Sequence, residues 1–290
     1  YAISCALLWA IAIILFRKGG EQIQPVALNL FKGTVGLPLF FFSLWAFSIP
    51  FFPEDVSTKD TLILLASGAV GIAIADTLFF ASLNRLGAGR SAIVNCLYSP
   101  FVVLCSAVYL GEPRGPGLVP AVLLMGLAIA VGTWNPEREK TSANSRRELR
   151  KGVILGAAAM FLMAAAIVAA KPVLDHTHPL WSTTVRLTGG VLLLALQASL
   201  PRWRRDVVRI FTPSPLWRIT VPAGILGAYL AMFLWILGMT YARTNVASVL
   251  NQTSTLWVLV FATLFLREPF TSRRVMAILV GATAAWLATL

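Results

Sequence analysis

Residues 135–151 read NPEREKTSANSRRELRK and form the one long polar stretch of the chain. The stretch lies near the middle of the 290 residues, and apolar runs with short connectors fill both sides of it. A membrane-spanning helix needs about 20 apolar residues to cross roughly 30 Å of hydrocarbon. We therefore predict an all-α membrane protein with ten transmembrane helices, five on each side of the polar stretch. They lie at about 1–17, 26–48, 61–83, 91–110, 116–134, 152–171, 179–200, 216–238, 245–266 and 272–290.

The composition supports this class of protein. Hydrophobic residues make up 58% of the chain and charged residues 12%, whereas an ordinary soluble domain has about 25% charged residues. One soluble core of this size could not bury so much apolar surface, which excludes a soluble enzyme. The net charge of +12 does not indicate nucleic-acid binding, because the basic residues lie in short connectors rather than along one patch. Tyr1 already lies in an apolar run, so we expect residues to precede it.

The two halves match each other in sequence. A shift of 154 residues, which becomes 156 after the next connector, aligns an ordered set of residues. The aligned pairs include Pro25 and Pro179, Lys32 and Arg186, Gly68 and Gly224, and Asn95 and Asn251. We predict two repeats, 1–134 and 152–290, joined by a linker at 135–151. Since each repeat has an odd number of spans, the second would be inverted, as in secondary transporters with a midplane substrate site.

Two short motifs add a family resemblance. Glu112-Pro113 closes the fourth predicted span and recurs as Glu268-Pro269 at the end of the ninth. With Trp9 in the first span and a basic residue in the second and seventh, the chain resembles EamA-type transporters of the drug/metabolite transporter superfamily. The resemblance covers nearly the whole chain. It implies a ten-helix exporter or facilitator of small metabolites, often amino acids, with no bound cofactor.

The charge distribution and the family resemblance disagree on which side of the membrane the two termini lie. Of the 24 basic residues, 18 lie in or beside the connectors after spans 1, 3, 5, 7 and 9. The positive-inside rule places these connectors in the cytoplasm and both termini outside. The family resemblance instead implies that both termini are inside. We expect a bacterial inner membrane protein that is a monomer or a weak dimer.

Three charged residues within the spans are candidate functional groups, since a charge in hydrocarbon costs about 2.5 to 3.5 kcal/mol on insertion scales. Lys32 and Arg186 either line a cavity that attracts a carboxylate or phosphate, or extend their long side chains to the membrane surface. Asp76 breaks the repeat, because its equivalent position holds Met232. It either pairs with one of the two bases or couples transport to protons.

Polar and aromatic residues in mid-span complete the candidate site. Asn95 and Asn251 either coordinate a substrate or bond one helix to another. Pro100 removes a backbone hydrogen bond and predicts a bend in the fourth span beside Asn95. The inner aromatic residues either line a cavity or pack between helices. The candidate substrate-binding residues are Trp9, Lys32, Asp76, Asn95, Tyr98, Arg186, Tyr229, Trp235 and Asn251.

Motifs for catalysis or cofactor binding are missing from the sequence. His176 and His178 share a short connector, but a metal ion needs three or four convergent ligands. The sequence has no Walker motif, nucleophile elbow or paired-carboxylate motif. We therefore expect no catalytic residue, no metal and no cofactor, and we do not expect an enzyme.

The sequence predicts a secondary transporter that moves a small-molecule substrate across the bilayer by alternating access between the repeats. The excess of cations within the spans favours amino acids or related anionic and zwitterionic solutes. A multidrug exporter of lipophilic cations is the alternative within this class, with recognition by Asp76 and the aromatic residues. From other classes, the alternatives are an intramembrane lipid-modifying enzyme, which needs a convergent acid, base or nucleophile set, and a non-transporting scaffold or receptor.

Overall fold

The computed structural model describes residues 1–111, 116–133, 143–241, 250–251, 253–268 and 271–287. Within these ranges every regular element is helical. The elements are α1 (Ala2–Gly19), α2 (Pro25–Ala46), α3 (Thr58–Gly68), π1 (Ala69–Ala75), α4 (Asp76–Leu86), α5 (Ala88–Asn95), α6 (Tyr98–Tyr109), α7 (Leu118–Thr133), α8 (Ala143–Leu174), α9 (Pro179–Ala198), α10 (Pro201–Phe211), α11 (Trp217–Gly224), π2 (Ile225–Ala231), α12 (Met232–Tyr241), α13 (Thr253–Leu266) and α14 (Ser272–Leu287). Glu112, Pro113, Pro269 and residues 135–142 of the predicted linker lie outside the described residues.

Several helices begin where the sequence supplies a start signal. Pro25 and Pro179 occupy the first positions of α2 and α9, where the fixed backbone angle of proline suits a helix and its missing N–H costs nothing. The imidazole of His178 also accepts a backbone N–H in the first turn of α9. At the start of α3, the Ser57 hydroxyl accepts the Asp60 N–H at 3.1 Å, which satisfies one of the free donors of that turn.

Two π-helical segments occupy equivalent places in the two halves. Ala69–Ala75 and Ile225–Ala231 are separated by 156 residues, the same shift that aligns the sequence in this region. The first segment leads directly into Asp76 and the second into Met232. Such wider turns are rare in proteins and are frequent at functional sites. The same irregular backbone therefore occurs at equivalent residues of the two halves, where a functional site is expected.

The two halves meet at backbone contacts that only glycine allows. A Cβ atom at Gly68 would lie 1.7 Å from the carbonyl oxygen of Arg186, and one at Gly189 would lie 2.2 Å from that of Leu65. Any larger residue would force α3 and α9 apart, since small residues set the distance at which membrane helices cross. This crossing places Arg186 of the second half beside the start of π1.

The structure departs from the predicted spans most clearly in two places. The predicted span 91–110 is divided into α5 and α6 at Leu97, whose N–H bonds to the Val94 carbonyl at 3.1 Å in a tight turn. Pro100, which has no N–H to donate, lies in the first turn of α6. In the second half α8 begins at Ala143, so residues 143–151 of the predicted linker are helical. These residues are polar but are mostly good helix formers, and polarity alone therefore does not indicate a loop.

Helix α10 was not predicted at all. Its sequence, PRWRRDVVRIF, follows α9 directly. Trp203, Val207 and Ile210 recur at intervals of four and three residues and pack on the hydrophobic core, which is the pattern of an amphipathic helix. The equivalent connector of the first half, residues 47–57, contains no regular helix.

Six helical segments of the described chain are long and apolar enough to cross a membrane. They are Pro25–Ala46, Thr58–Leu86, Ala88–Tyr109, Arg146–Leu174, Pro179–Ala198 and Trp217–Tyr241. Thr253–Leu266 is a shorter apolar helix. The predicted all-helical membrane fold is confirmed by these segments, whereas ten spans in two inverted repeats stay a prediction.

Candidate functional site

A cavity of about 940 Å³, counting the space at its open mouth, lies between helices of both halves. Elements α1, π1, α4, α5 and α6 line it from the first half, and α8, α9, π2, α12 and α13 line it from the second. Both π-helical segments reach its wall, through Gly71 and Gly227. Ligand sites commonly lie between the helices of bundles. The position of this cavity between the two halves therefore makes it the candidate solute site.

Arg186 brings a charge to the wall of this cavity. Its side chain extends from α9, and the residue is 6% exposed. Its Nε atom donates to the Ser67 hydroxyl at 3.1 Å, and that hydroxyl donates to the Ala166 carbonyl at 2.7 Å. Within the described part of the chain, no carboxylate forms an ion pair with Arg186. Since a guanidinium has five N–H donors in a planar fork, its terminal nitrogens are available to an anion.

Lys32, the equivalent base of the first half, has a different environment. Its ammonium donates a hydrogen bond to Oδ2 of Asp76 and forms an ion pair with it. The two side chains are 1% and 8% exposed. The ammonium also lies 5.4 Å from the centre of the Phe80 ring, a cation–π contact. Asp76 lines the cavity and Lys32 does not. The pair is neutral as a unit, so Arg186 gives the site a net charge of one.

Two further polar side chains at the cavity have atoms without a partner among the described residues. The Tyr98 hydroxyl is buried and makes no hydrogen bond, and the residue is 7% exposed. The amide oxygen of Asn251 is also buried without a partner. Leaving a buried polar group unpaired costs about 1 to 3 kcal/mol. A polar ligand in the cavity would supply the missing partners.

The rest of the wall is apolar and adaptable. The rings of Trp9 and Phe79 lie 6.1 Å apart on one side, and Trp235 packs edge-on against Tyr98 at 5.7 Å. Methionine side chains complete the wall, namely Met160, Met163 and Met232. Methionine is flexible and polarisable, and it accommodates ligands of varied shape. This lining suits an apolar body next to the charged group of a solute.

The structure brings seven of the nine candidate residues to one cavity. These seven are Trp9, Asp76, Asn95, Tyr98, Arg186, Trp235 and Asn251. Lys32 lies behind Asp76, as described above. Tyr229 is turned elsewhere, because its hydroxyl bonds to the Ser43 hydroxyl at 2.6 Å and its ring packs edge-on against Phe40 at 4.9 Å.

Sequence reasoning missed one wall of the cavity. Met160, Met163 and Ile167 of α8 all line it. Their spacing of three and four residues places them on one face of a helix. However, the membrane part of α8 is apolar on every side, so its hydropathy could not distinguish the cavity face from the lipid face.

The described residues offer no metal site. No group of three or more His, Cys, Asp or Glu side chains converges anywhere in the part of the chain that the structure describes. The Nε2 atom of His176 lies 3.5 Å from Oδ2 of Asp60, and His178 caps α9. Each histidine therefore has a contact within the protein that accounts for its position without a metal ion.

Glu268 makes a contact between the halves that the sequence did not indicate. Its two carboxylate oxygens accept the N–H groups of Ala88 and Gly89 at 2.7 and 3.1 Å. Arg274 donates to the same carboxylate at 3.2 Å. A carboxylate at a helix N-terminus is stabilised by the free N–H groups and the helix dipole. Glu268 therefore joins α5 of the first half to the second half.

Comparisons with known proteins agree with this architecture. A family model described as the EamA-like transporter family matches residues 1–134 and again residues 150–290. No curated protein matches the chain by sequence. Among solved structures, one crystal structure of a protein is 17% identical and superposes with a TM-score of 0.67. That match covers 99% of this chain and 96% of the other, and it shows a shared fold.

Proposed function

Because the chain belongs to the EamA-like transporter family, we propose that this membrane transporter moves small carboxylate-bearing solutes by alternating access. Amino acids and related anions or zwitterions are the proposed substrates. Its family and its long apolar helices make it an integral membrane protein, and we place it in a bacterial inner membrane. Family membership also favours a transporter over the alternative of an intramembrane enzyme.

One observation carries the choice of substrate. Arg186 is buried at the cavity wall without a carboxylate partner in the described chain, whereas the charge of Lys32 is compensated by Asp76. A buried charge without a partner is costly, and an entering anion would offset that cost. A guanidinium binds a carboxylate through two parallel hydrogen bonds. The single positive charge of Arg186 at the site would be neutralised by one carboxylate group of a substrate.

The remainder of the cavity supports a solute with an apolar part. Tyr98 and Asn251 would bond to its polar atoms, and Asp76, whose charge Lys32 compensates, lines the same cavity. The aromatic and methionine side chains would surround an apolar side chain. Amino acids with apolar side chains combine these features within a small volume.

The position of the cavity between the two halves supports alternating access. We propose ten spans in two inverted repeats, with the cavity between them, so that rocking of one half against the other exposes the site to each side in turn. The crossing of α3 and α9 at Gly68 and Gly189 brings backbone against backbone.

Counterflow in proteoliposomes tests the proposal. The wild-type protein is assayed with a panel of amino acids and a panel of lipophilic cations, together with Arg186→Gln and the matched control Arg150→Gln, which changes an exposed residue of α8. We expect saturable amino-acid counterflow in the wild type and the control. We expect a loss of about tenfold or more in Arg186→Gln, because a hydrogen bond to a charged group contributes about 1.5 to 3 kcal/mol. Unfolding midpoints in one detergent separate lost binding from lost folding.

The rival function has one observation in its favour. Asp76 is a carboxylate at the cavity wall near Trp9 and Trp235, which is a suitable arrangement for a lipophilic cation. Its charge is already compensated by Lys32, and this favours the anion. Counterflow of lipophilic cations that persists in Arg186→Gln, without amino-acid counterflow in the wild type, would contradict the proposal and identify a multidrug exporter.

A further inference from the structure

Helix α10 is anchored to the protein along one face. Ile210 is fully buried, and its carbonyl accepts the indole N–H of Trp217 at 2.8 Å. The Phe211 ring packs edge-on against Phe31 of α2 at 5.4 Å. Because α10 connects two predicted spans, it lies at the surface of the membrane.

The opposite face of α10 is strongly basic. Arg202, Arg204, Arg205 and Arg209 are all exposed, and none forms an ion pair within the described chain. At about 100° per residue, Arg202, Arg205 and Arg209 project within roughly 60° of one another. Val208 lies between Arg204 and Arg205 on the helix surface and is 58% exposed. Exposed apolar and basic side chains in one patch are typical of a helix in contact with lipid headgroups.

A groove beside α10 has both polar and apolar residues in its lining. It has a volume of about 1,040 Å³, counting its open side, and Gln22, Arg209, Thr212 and Ser214 supply its polar part. Arg209 is held in place there, because its Nη1 atom donates to the Gln22 carbonyl at 3.0 Å. The apolar part consists of Pro215, Leu216 and Ile219. Ile219 belongs to α11, at the start of the segment Trp217–Tyr241 that can cross the membrane.

We propose that α10 and this groove bind an anionic phospholipid of the surrounding bilayer. The phosphate bonds to Arg209 and Arg205, the hydroxyls of Thr212 and Ser214 contact the glycerol region, and an acyl chain follows Ile219 into the hydrocarbon. Charge complementarity selects the lipid, because basic segments at the membrane surface attract anionic headgroups.

The equivalent connector of the first half has the opposite character. Residues 47–57 read FSIPFFPEDVS, with two acidic residues and no basic one. If the repeats are inverted, this connector lies at the other membrane surface. The lipid site then exists at one surface only, so the proposed binding distinguishes the two ends of the transporter. The proposal itself holds for any transported solute.

Titration of the full chain in detergent with phosphatidylglycerol or phosphatidylcholine tests it, with native mass spectrometry and the thermal unfolding midpoint as readouts. The first variant is Arg205→Gln/Arg209→Gln. The second is Arg204→Gln/Arg205→Gln, which keeps Arg209 and therefore its hydrogen bond to the Gln22 carbonyl. The control is Arg146→Gln/Arg150→Gln, which removes the same charge from exposed positions of α8. We expect phosphatidylglycerol to bind and stabilise the wild type more than phosphatidylcholine does. We expect apparent affinity to fall about tenfold in the first variant, since each surface cation adds to the attraction. It should fall less in the second, because Arg209 lines the groove and Arg204 does not.

Three results would overturn the proposal. The first is a wild type that shows no preference between the two lipids. The second is a control that loses as much affinity as the α10 variants, which would indicate a general effect of net charge. Alternatively, soluble glycerol phosphate would stabilise the protein as well as phosphatidylglycerol does, which would indicate a free phosphate as the ligand. None of these readouts depends on transport, so the proposed substrate is tested separately.

Discussion

Lys32 and Arg186 occupy equivalent positions in the two halves, yet their surroundings differ in kind. Lys32 lies behind the cavity wall in an ion pair with Asp76, and Arg186 reaches the cavity with no ion-pair partner among the described residues. The difference originates in a third residue, because the position equivalent to Asp76 holds Met232. One acid in one half therefore divides a duplicated pair of bases into a structural cation and a cation that faces the cavity.

The largest expected effect comes from removing the structural cation. Lys32→Met leaves Asp76 buried without its partner, which costs about 3 to 5 kcal/mol when a buried pair is broken. Arg186→Met removes no carboxylate's partner and should cost less. Denaturant unfolding of both variants in the same detergent measures the difference.

A double variant is the control for this prediction. Lys32→Met/Asp76→Leu replaces the whole pair by apolar side chains, and we expect it to recover most of the lost stability. Equal losses in Lys32→Met and Arg186→Met would show that the two bases do not differ as the structure indicates.

The second prediction concerns a variant in which both halves carry an acid at the equivalent position. Met232→Asp supplies an acid at the position equivalent to Asp76, and both Met232 and Arg186 line the cavity. We expect the new carboxylate to compensate Arg186, so amino-acid counterflow falls about tenfold, in line with about 1.5 to 3 kcal/mol for a hydrogen bond to a charged group. Met232→Asn, which adds a polar group without charge, is the control and should retain more of the flux. Unchanged counterflow in Met232→Asp would count against Arg186 as the anion-binding group.

The smallest predicted effect extends the contrast to two tyrosines. The Tyr98 hydroxyl has no partner in the described chain and faces the cavity, whereas the Tyr229 hydroxyl bonds to Ser43. Tyr98→Phe should lower the apparent affinity for an amino acid by about 0.5 to 1.5 kcal/mol without lowering stability, because it removes a buried hydroxyl that has no partner among the described residues. Tyr229→Phe should do the reverse, with a loss of about 1 kcal/mol in stability. Counterflow and unfolding of both variants test the pair, and a loss of affinity in Tyr229→Phe alone would reverse the assignment.

Much of the fold could be predicted from local sequence. Apolar runs gave the approximate positions of the helices, and Pro25 and Pro179 marked two helix starts that the structure has. The errors concern polar segments. The sequence predicts residues 143–151 as part of the linker and residues 201–211 as part of a connector, although both segments are helical and contain good helix formers. A window that measures only mean hydropathy misses such helices, because their apolar residues are few and lie on one face.

The candidate site was predictable in its residues more than in its contacts. Rare charges and amides in the spans identified Asp76, Arg186 and Asn251, which line one cavity. Nothing in the sequence separated Tyr98 from Tyr229, since each is a tyrosine within an apolar run. Their different roles depend on neighbours from distant parts of the chain, such as Ser43.

The sequence by itself determined the membrane class, the helical fold, the internal duplication and the small set of polar residues within the spans. These properties depend on composition and on local spacing, because the hydrocarbon of a bilayer requires long apolar runs and makes charges within them costly. Only the tertiary structure decided that Lys32 pairs with Asp76 and that Arg186 faces the cavity. Helices that are apolar on every side carry no signal of which face meets protein. The glycine contacts between α3 and α9 bring Arg186 beside π1, and neither helix alone indicates that contact.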